Sequence, residues 1–193
     1  MITGQNMNML AIALVHYPVV NKNGQTIGSA VTNLDIHDIA RAARTFGAGA
    51  YFVVTPYADQ RHLVAEIIGH WREGYGASYN PARKDALSLV RVVDSLDAAI
   101  QTIGDECGRR PFVVATSAKI GEIRVGYQEL RQKIAAGQPT LLLFGTAHGL
   151  AKEAIAMADA MLPPIYGAGE YNHLPVRSAA AIILDRLLGT IRD

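Results

Sequence analysis

The stretch TLLLFGTAHGLAKEAIAMADAMLPPI, Thr140 to Ile165, sets the reading of the chain. Thr140 to Phe144 is an apolar or β-branched run of strand length, and the glycine-bounded turn Gly145 to Leu150 follows it at once. Short apolar runs closed by a turn read as strands buried on both faces. Lys152 to Ala158 then reads as a helix, and a weaker apolar run, Ala160 to Leu162, as another strand.

Outward from this stretch the same alternation recurs. Strand-like runs occupy Leu10 to Val15, Tyr51 to Thr55, Leu89 to Val93 and Phe112 to Thr116. Helix-like stretches lie near Ile36 to Phe46, Asp59 to Trp71, Ser95 to Glu106, Gly126 to Ala136 and Val176 to Leu188. Alternating strands and helices predict an α/β fold with a mostly parallel sheet and helices on both faces. Asn21 to Gly28 reads as an excursion after the first strand. At 193 residues, 50% hydrophobic and without an interdomain linker, the whole chain, 1–193, is expected to be a single domain.

Lys and Arg number 18 against 17 Asp and Glu, a net charge of +1, so any nucleic-acid surface must be a local patch. The single Cys107 excludes an intrachain disulfide, and no Cys/His cluster has zinc-site spacing, so no metal is expected and a reducing, cytoplasmic setting fits. The run Met9 to Val15 is too short to cross a bilayer, and no membrane association is expected.

In open α/β sheets ligands bind outside the carboxyl ends of strands, which directs attention to the loops after Thr55, Thr116 and Phe144. In Gly145-Thr146-Ala147-His148-Gly149-Leu150 the glycines let backbone amides approach a ligand closely. Neither GxxxxGK[ST] nor GxGxxG is present, so spacing alone is equally that of an ordinary strand-to-helix turn. A second loop, Gly167 to Pro175, packs Glu170, Tyr171, Asn172 and His173 ahead of a helix that Pro175 is suited to begin. That helix is apolar almost all round, so one side suits the core and another a partner subunit.

Asp35 is a natural N-cap for the first helix, with Asp38 completing a capping-box-like arrangement. His37, Arg41 and Arg44 share another face, suited to a phosphate, although an Asp38 to Arg41 surface pair is an equal alternative. Between His70 and Lys84 lie Trp71, Arg72, Tyr75, Tyr79, Arg83 and Lys84. Aromatics interleaved with cations suit unstacked bases, or the aromatics pin a loop to the core.

Taken together, these segments resemble the SPOUT superfamily of RNA methyltransferases, in particular a small stand-alone group that also occurs fused to bacterial tRNA (guanine-N1) methyltransferases. TNLDIHDIARAARTFG is similar to the first SPOUT motif, with Arg41 at its arginine; LLLFGTAHGLAKEAIAMADAMLPPI resembles the second and YNHLPVRSAAAIILDRL the third. The resemblance implies a C-terminal trefoil knot, S-adenosylmethionine as cofactor, a homodimer, and tRNA or rRNA as substrate. The cofactor residues it implies are Thr116, Ser117, Gly145, Thr146, His148, Gly149, Leu150, Leu162, Pro164, Ile165, Tyr171, Asn172, His173, Leu174 and Val176.

For catalysis it points to Arg41, which would stabilise charge on the acceptor; among the candidate bases His37, Glu170 and His173, the loop position of Glu170 and His173 is the better placed. Arg44, Arg72, Tyr79, Arg83 and Lys119 are the candidate RNA contacts. The ribose-methylating branch carries a glutamate in the glycine turn and Asn-x-Ser in the third motif. This chain has Ala147-His148 and His173-Leu174-Pro175 there, which argues against ribose 2'-O methylation. A chain that binds the cofactor and RNA without chemistry, serving assembly, is the alternative.

Overall fold

The computed structural model describes residues 9–119 and 125–190. Six strands form one parallel sheet in the order β5, β4, β1, β7, β6, β8. They are β1 (Leu10–Val15), β4 (Ala50–Val54), β5 (Val90–Val93), β6 (Phe112–Ala115), β7 (Thr140–Gly145) and β8 (Ala160–Met161). β1 lies at the centre, registered on β4 from Ala11 opposite Ala50 and on β7 from Leu10 opposite Thr140. Both of its faces are covered, which is why its sequence is continuously apolar rather than alternating.

Leu10, Ile12, Leu14, Tyr51, Val53, Leu142 and Phe144 point into one core. Covering them are α1 (Asn33–Phe46), α2 (Ala58–Arg72), α4 (Pro81–Leu87), α6 (Tyr127–Ala135) and α8 (Val176–Leu188). Ala11, Ala13, Val15, Phe52, Val54, Leu141 and Leu143 point the other way, onto α5 (Leu96–Cys107) and α7 (Lys152–Ala156). Each fully buried Leu or Ile contributes roughly 1.5–3 kcal/mol over its exposed state, so the two cores hold the strand ends in place. β8 is fixed at its edge by Asp159, whose carboxylate takes the Arg110 guanidinium at 2.9 and 2.7 Å and the Val113 amide at 2.8 Å.

Three local expectations need correction. The excursion after β1 is a two-stranded hairpin, β2 (Val19–Val20) and β3 (Thr26–Ile27), whose Asn21 side chain accepts the Asn23 and Gln25 amides. Thr32, not Asp35, caps α1: its hydroxyl accepts the Asp35 amide at 3.2 Å and donates to Asp35 Oδ2 at 2.6 Å. Thr32 and Asp35 are thus linked at the start of α1 through the Thr32 hydroxyl, and Asp38 plays no part there. The stretch from His70 to Lys84 is helical rather than loop, with α2 running to Arg72 and the short α3 (Tyr75–Tyr79) and α4 after it. Asn80 caps α4 by accepting the Arg83 amide at 3.0 Å, and Pro81 fills its first turn, where a missing N–H costs nothing.

Candidate active site

The carboxyl ends of β6 and β7 open into a cleft of about 590 Å³. Its walls are the loop after β6 (Thr116, Ser117, Lys119), the glycine turn (His148, Gly149, Leu150) and the hairpin residues Val20, Gly24 and Thr26. Lys152, Glu153 and Ile155 of α7 and Met161 of β8 complete it. Sequence reasoning named Thr116, Ser117, His148, Gly149 and Leu150 for the cofactor, and the fold brings them together. It missed the hairpin and the α7 residues, which no local pattern assigns to a wall.

The glycine turn is built differently from the expectation. A Cβ at Gly145 would stand 2.5 Å from the Leu150 nitrogen, so this glycine serves the turn's closure on itself rather than a ligand. Three of the turn's amides are also engaged within the chain: His148 N–H donates to Val20 O at 3.0 Å, Thr146 N–H to Val15 O at 3.3 Å, and Gly149 N–H to Thr146 O at 2.9 Å. At Gly149 the backbone φ is +109°, a region that favours glycine, and open space lies where a Cβ would be. Close approach of a ligand is thus possible at Gly149, not at Gly145.

Beneath the turn lies a buried polar chain. Thr146 Oγ1 donates to Val15 O at 2.9 Å, so the 2.5 Å contact between Ser29 Oγ and Thr146 Oγ1 must use the Ser29 proton. Ser29 then accepts from His16 Nδ1 at 3.1 Å, a network that assigns the proton to Nδ1 and leaves the buried Nε2 without a partner. Burial pushes the His16 pKa below its ordinary 6.5, opposed in part by the Asp35 carboxylate.

The unfolded chain therefore binds this proton at a higher pH than the folded one. Stability is unaffected above the unfolded value near 6.5 and falls as pH drops from there through the lowered folded pKa. Denaturant titrations from pH 7.5 downward should show that decline. His16→Asn, which keeps a donor at the Nδ1 position, should flatten part of it. His37, lowered by burial and by Arg83, supplies a further part.

The residues named from the end of the second motif and from the third lie outside the cleft lining. Leu162 and Pro164 are buried and Ile165 packs on the core, so none of the three lines the cleft. Tyr171, His173 and Leu174 are exposed, with the Tyr171 and His173 rings 5.8 Å apart. Asn172 reaches the cleft's rim, donating to Ala118 O at 3.1 Å. Val176 begins α8 and packs on the core.

α8 is clamped to α1 by Arg177, whose guanidinium lies 3.3 Å from Asp35 Oδ1 and 3.6 Å from Asp38 Oδ2. This pair replaces the Asp38 to Arg41 contact considered from sequence. Arg41 is exposed and lines a separate shallow depression of about 360 Å³ with Asp38, Ala42, Thr45, Arg177, Ser178 and Ala181. Among the described residues no hydrogen bond, ion pair or ring contact joins Arg41 to Glu170 or His173. His37 is directed away, edge-on to Trp71 at 5.5 Å.

The candidate RNA contacts divide. Lys119 belongs to the cleft. Arg44 is tied to Asp85 of α4 at 2.7 Å, and the Arg83 guanidinium lies over the Trp71 ring at 4.6 Å. Tyr79 and Arg72 are exposed nearby in sequence.

A parallel sheet in this strand order, with its cleft at the carboxyl edge and a C-terminal helix clamped back onto α1, is the fold of SPOUT-type methyltransferases. The SpoU methyltransferase AviRb of Streptomyces viridochromogenes, solved in complex with its cofactor AdoMet, superposes with a TM-score of 0.59 at 20% identity, covering 94% of this chain and 60% of that one. A model of the SAM-dependent RNA methyltransferase family matches residues 9–189, and the chain belongs to that family. S-adenosylmethionine is the family's cofactor. The tRNA (guanine-N(1)-)-methyltransferase of Oleidesulfovibrio alaskensis is 50% identical over 180 residues, which cover 93% of this chain and 42% of that protein. This chain thus spans about two fifths of that relative's length. An uncharacterized protein of Aquifex aeolicus is 42% identical over 182 residues, covering 94% of this chain and 89% of its own.

Proposed function

We propose that the chain transfers a methyl group from S-adenosylmethionine to a nucleotide of tRNA or rRNA, on a base rather than a ribose. The observation that carries this is the cleft: five residues from two loops chosen on sequence grounds converge there, at the strand ends where an α/β sheet binds ligands. Its volume lies in the range of ligand pockets, roughly 300–1,000 Å³. Its chemistry suits the cofactor. Val20, Leu150, Ile155 and Met161 offer apolar walls for a purine and a thioether-like chain, while Lys119, Lys152 and Glu153 complement a carboxylate and cationic centres.

When bound, S-adenosylmethionine supplies an activated methyl group for in-line displacement, so positioning provides much of the acceleration. The chain's own part is to hold the cleft rigid through the hydrogen bonds that tie the glycine turn to Val15 and Val20. Arg41, which lines the separate depression rather than the cleft, would stabilise charge on the acceptor from across a dimer formed through α1 and α8. Glu170 and His173, on the exposed third loop, are the bases that would take the acceptor's proton.

The remaining expectations join this proposal. α8 leaves Ala179, Ala181 and Ile182 only partly covered, Ala181 in the Arg41 depression, and this supports a homodimer through α1 and α8. The segment after β8 passes the loop after β6, through Asn172 on Ala118 O and the Tyr127 hydroxyl on Pro163 O, before α8 returns to α1. The trefoil knot implied by the resemblance is retained as part of this proposal. Among the described residues no helix is long and apolar enough to cross a membrane. A single domain working in the cytoplasm is retained as part of this proposal.

Thermal unfolding with S-adenosylmethionine, NAD or ATP tests the cleft. Only the first should raise the midpoint, by the equivalent of about 2.7 kcal/mol at a hundredfold excess over Kd. Incubation with radiolabelled S-adenosylmethionine and total RNA tests the reaction. Cofactor binding with no label in RNA would favour the non-catalytic alternative.

A further inference from the structure

The short helix α3 presents Tyr75 and Tyr79, one turn apart, at 78% and 74% exposure. Their rings are 6.2 Å apart and inclined by only 23°, so both offer flat faces in nearly the same direction. Exposed aromatic side chains on a flexible strap would be unremarkable. This helix is instead pressed onto a fixed support, because a Cβ at Gly76 would stand 2.7 Å from the Trp71 ring. Trp71 is in turn held by His37 and His70, edge-on at 5.5 and 5.2 Å, and by the Arg83 guanidinium over its face.

The charge around the platform is predominantly positive, the exposed Glu73 between Arg72 and Tyr75 being the exception. Arg72 ends α2, Arg83 and Lys84 lie on α4, and Arg41 sits on α1, one turn before the Arg44 that ties α1 to α4. Among the described residues no carboxylate pairs with any of these four cations, whereas Asp85 and Asp38 are taken by Arg44 and Arg177. Arg83 Nε is buried without an acceptor. Two near-parallel rings bordered mainly by cations match the alternating base and phosphate of an unpaired nucleic-acid strand, since every base has a π-face and each linkage an anion. An apolar protein partner would leave those cations desolvated and uncompensated.

We propose that Tyr75 and Tyr79 form a stacking platform for unpaired bases of the RNA substrate, with Arg83, Lys84 and Arg72 taking the adjoining phosphates. The platform would seat single-stranded nucleotides flanking the target and deliver them toward Arg41. It rests on RNA being the substrate, but not on where the cofactor binds.

The test uses the full chain and a fluorescently labelled single-stranded RNA 12-mer, with the same sequence as a duplex for comparison. The single strand should bind more tightly than the duplex. The double variant Tyr75→Ala with Tyr79→Ala should weaken single-strand binding about ten- to a hundredfold, and the double Phe variant should restore it. Arg83→Gln with Lys84→Gln should reduce the salt dependence of binding, which the tyrosine variants leave unchanged. Equal affinity for duplex and single strand, an unaffected Ala double variant, or no binding of the wild-type chain would each overturn the proposal. S-adenosylmethionine titrated into the same Ala variant should bind as in the wild type; loss of cofactor binding by the wild-type chain would count against the methyltransferase reading instead.

Discussion

Replacing Arg41 by alanine should lower methyl transfer about a hundred- to a thousandfold, the usual cost of removing one donor aimed at developing charge. The affinity for S-adenosylmethionine should be unchanged. Arg41 lies on the exposed face of α1, away from the cleft, and the carboxylate one turn before it, Asp38, is engaged by Arg177. Its guanidinium is therefore free to meet a substrate oxygen, and its removal leaves the cofactor walls intact. Arg41→Lys should recover only part of the rate, because an ammonium lacks the planar fork that engages two oxygens at once. Single-turnover rates and calorimetric cofactor titrations on both variants decide the matter. Wild-type turnover in the alanine variant would remove Arg41 from the reaction.

Gly145→Ala should have the second large effect, on stability and cofactor binding together. The added methyl meets the Leu150 nitrogen at 2.5 Å and the Gly149 carbonyl carbon at 2.8 Å, both backbone atoms. Neither can yield easily. Gly149 O accepts from Val20 N–H at 2.9 Å and Ala151 N–H donates to Pro18 O at 3.2 Å, so the turn is stitched to the hairpin on its far side. Overpacking of this kind costs roughly 1–3 kcal/mol. Displacing Gly149 and Leu150 should also weaken cofactor binding by about tenfold or more, equivalent to about 1.4 kcal/mol. Gly69→Ala, inside α2 with open space around its Cβ, should stabilise instead by about 0.5–1 kcal/mol. Denaturant unfolding of the two variants gives the comparison, and a Gly145→Ala protein as stable as the wild type would contradict the geometry.

The sheet was legible because its strands are buried on both faces, so Leu10 to Val15 and Thr140 to Phe144 carry no polar interruption. Helices on both faces followed from the alternation. The start of α1 was less legible: Thr32 and Asp35 both favour a cap, and only the hydrogen bond to the Asp35 amide decides between them. α3 and α4 were hidden by Gly74, Gly76 and Pro81, which read as loop residues. There Gly76 serves close packing on Trp71, and Asn80-Pro81 is a helix start.

In the site, the glycine turn was visible as a motif but its reason was not, since Gly145 answers to a backbone atom five residues on. The hairpin wall of the cleft could not be read locally, because Val20 meets the turn only through β1 pairing with β7. The Arg177 clamp was equally invisible: Asp35 and Asp38 each had a plausible local role, and their partner lies at the far end of the chain.

The pairing of β1 with β7 also bears on how the protein is made. Leu10 waits for Thr140, and until that late segment leaves the ribosome one side of the first strand has no neighbour. β4 and β5 can join β1 earlier on its other side, so a half-sheet with an open hydrogen-bonding edge must exist during synthesis. Such long-range parallel pairing is intrinsically slow. The nascent chain is thus most exposed to mispairing before the cofactor cleft exists, and a truncated product ending before Thr140 would expose that edge permanently.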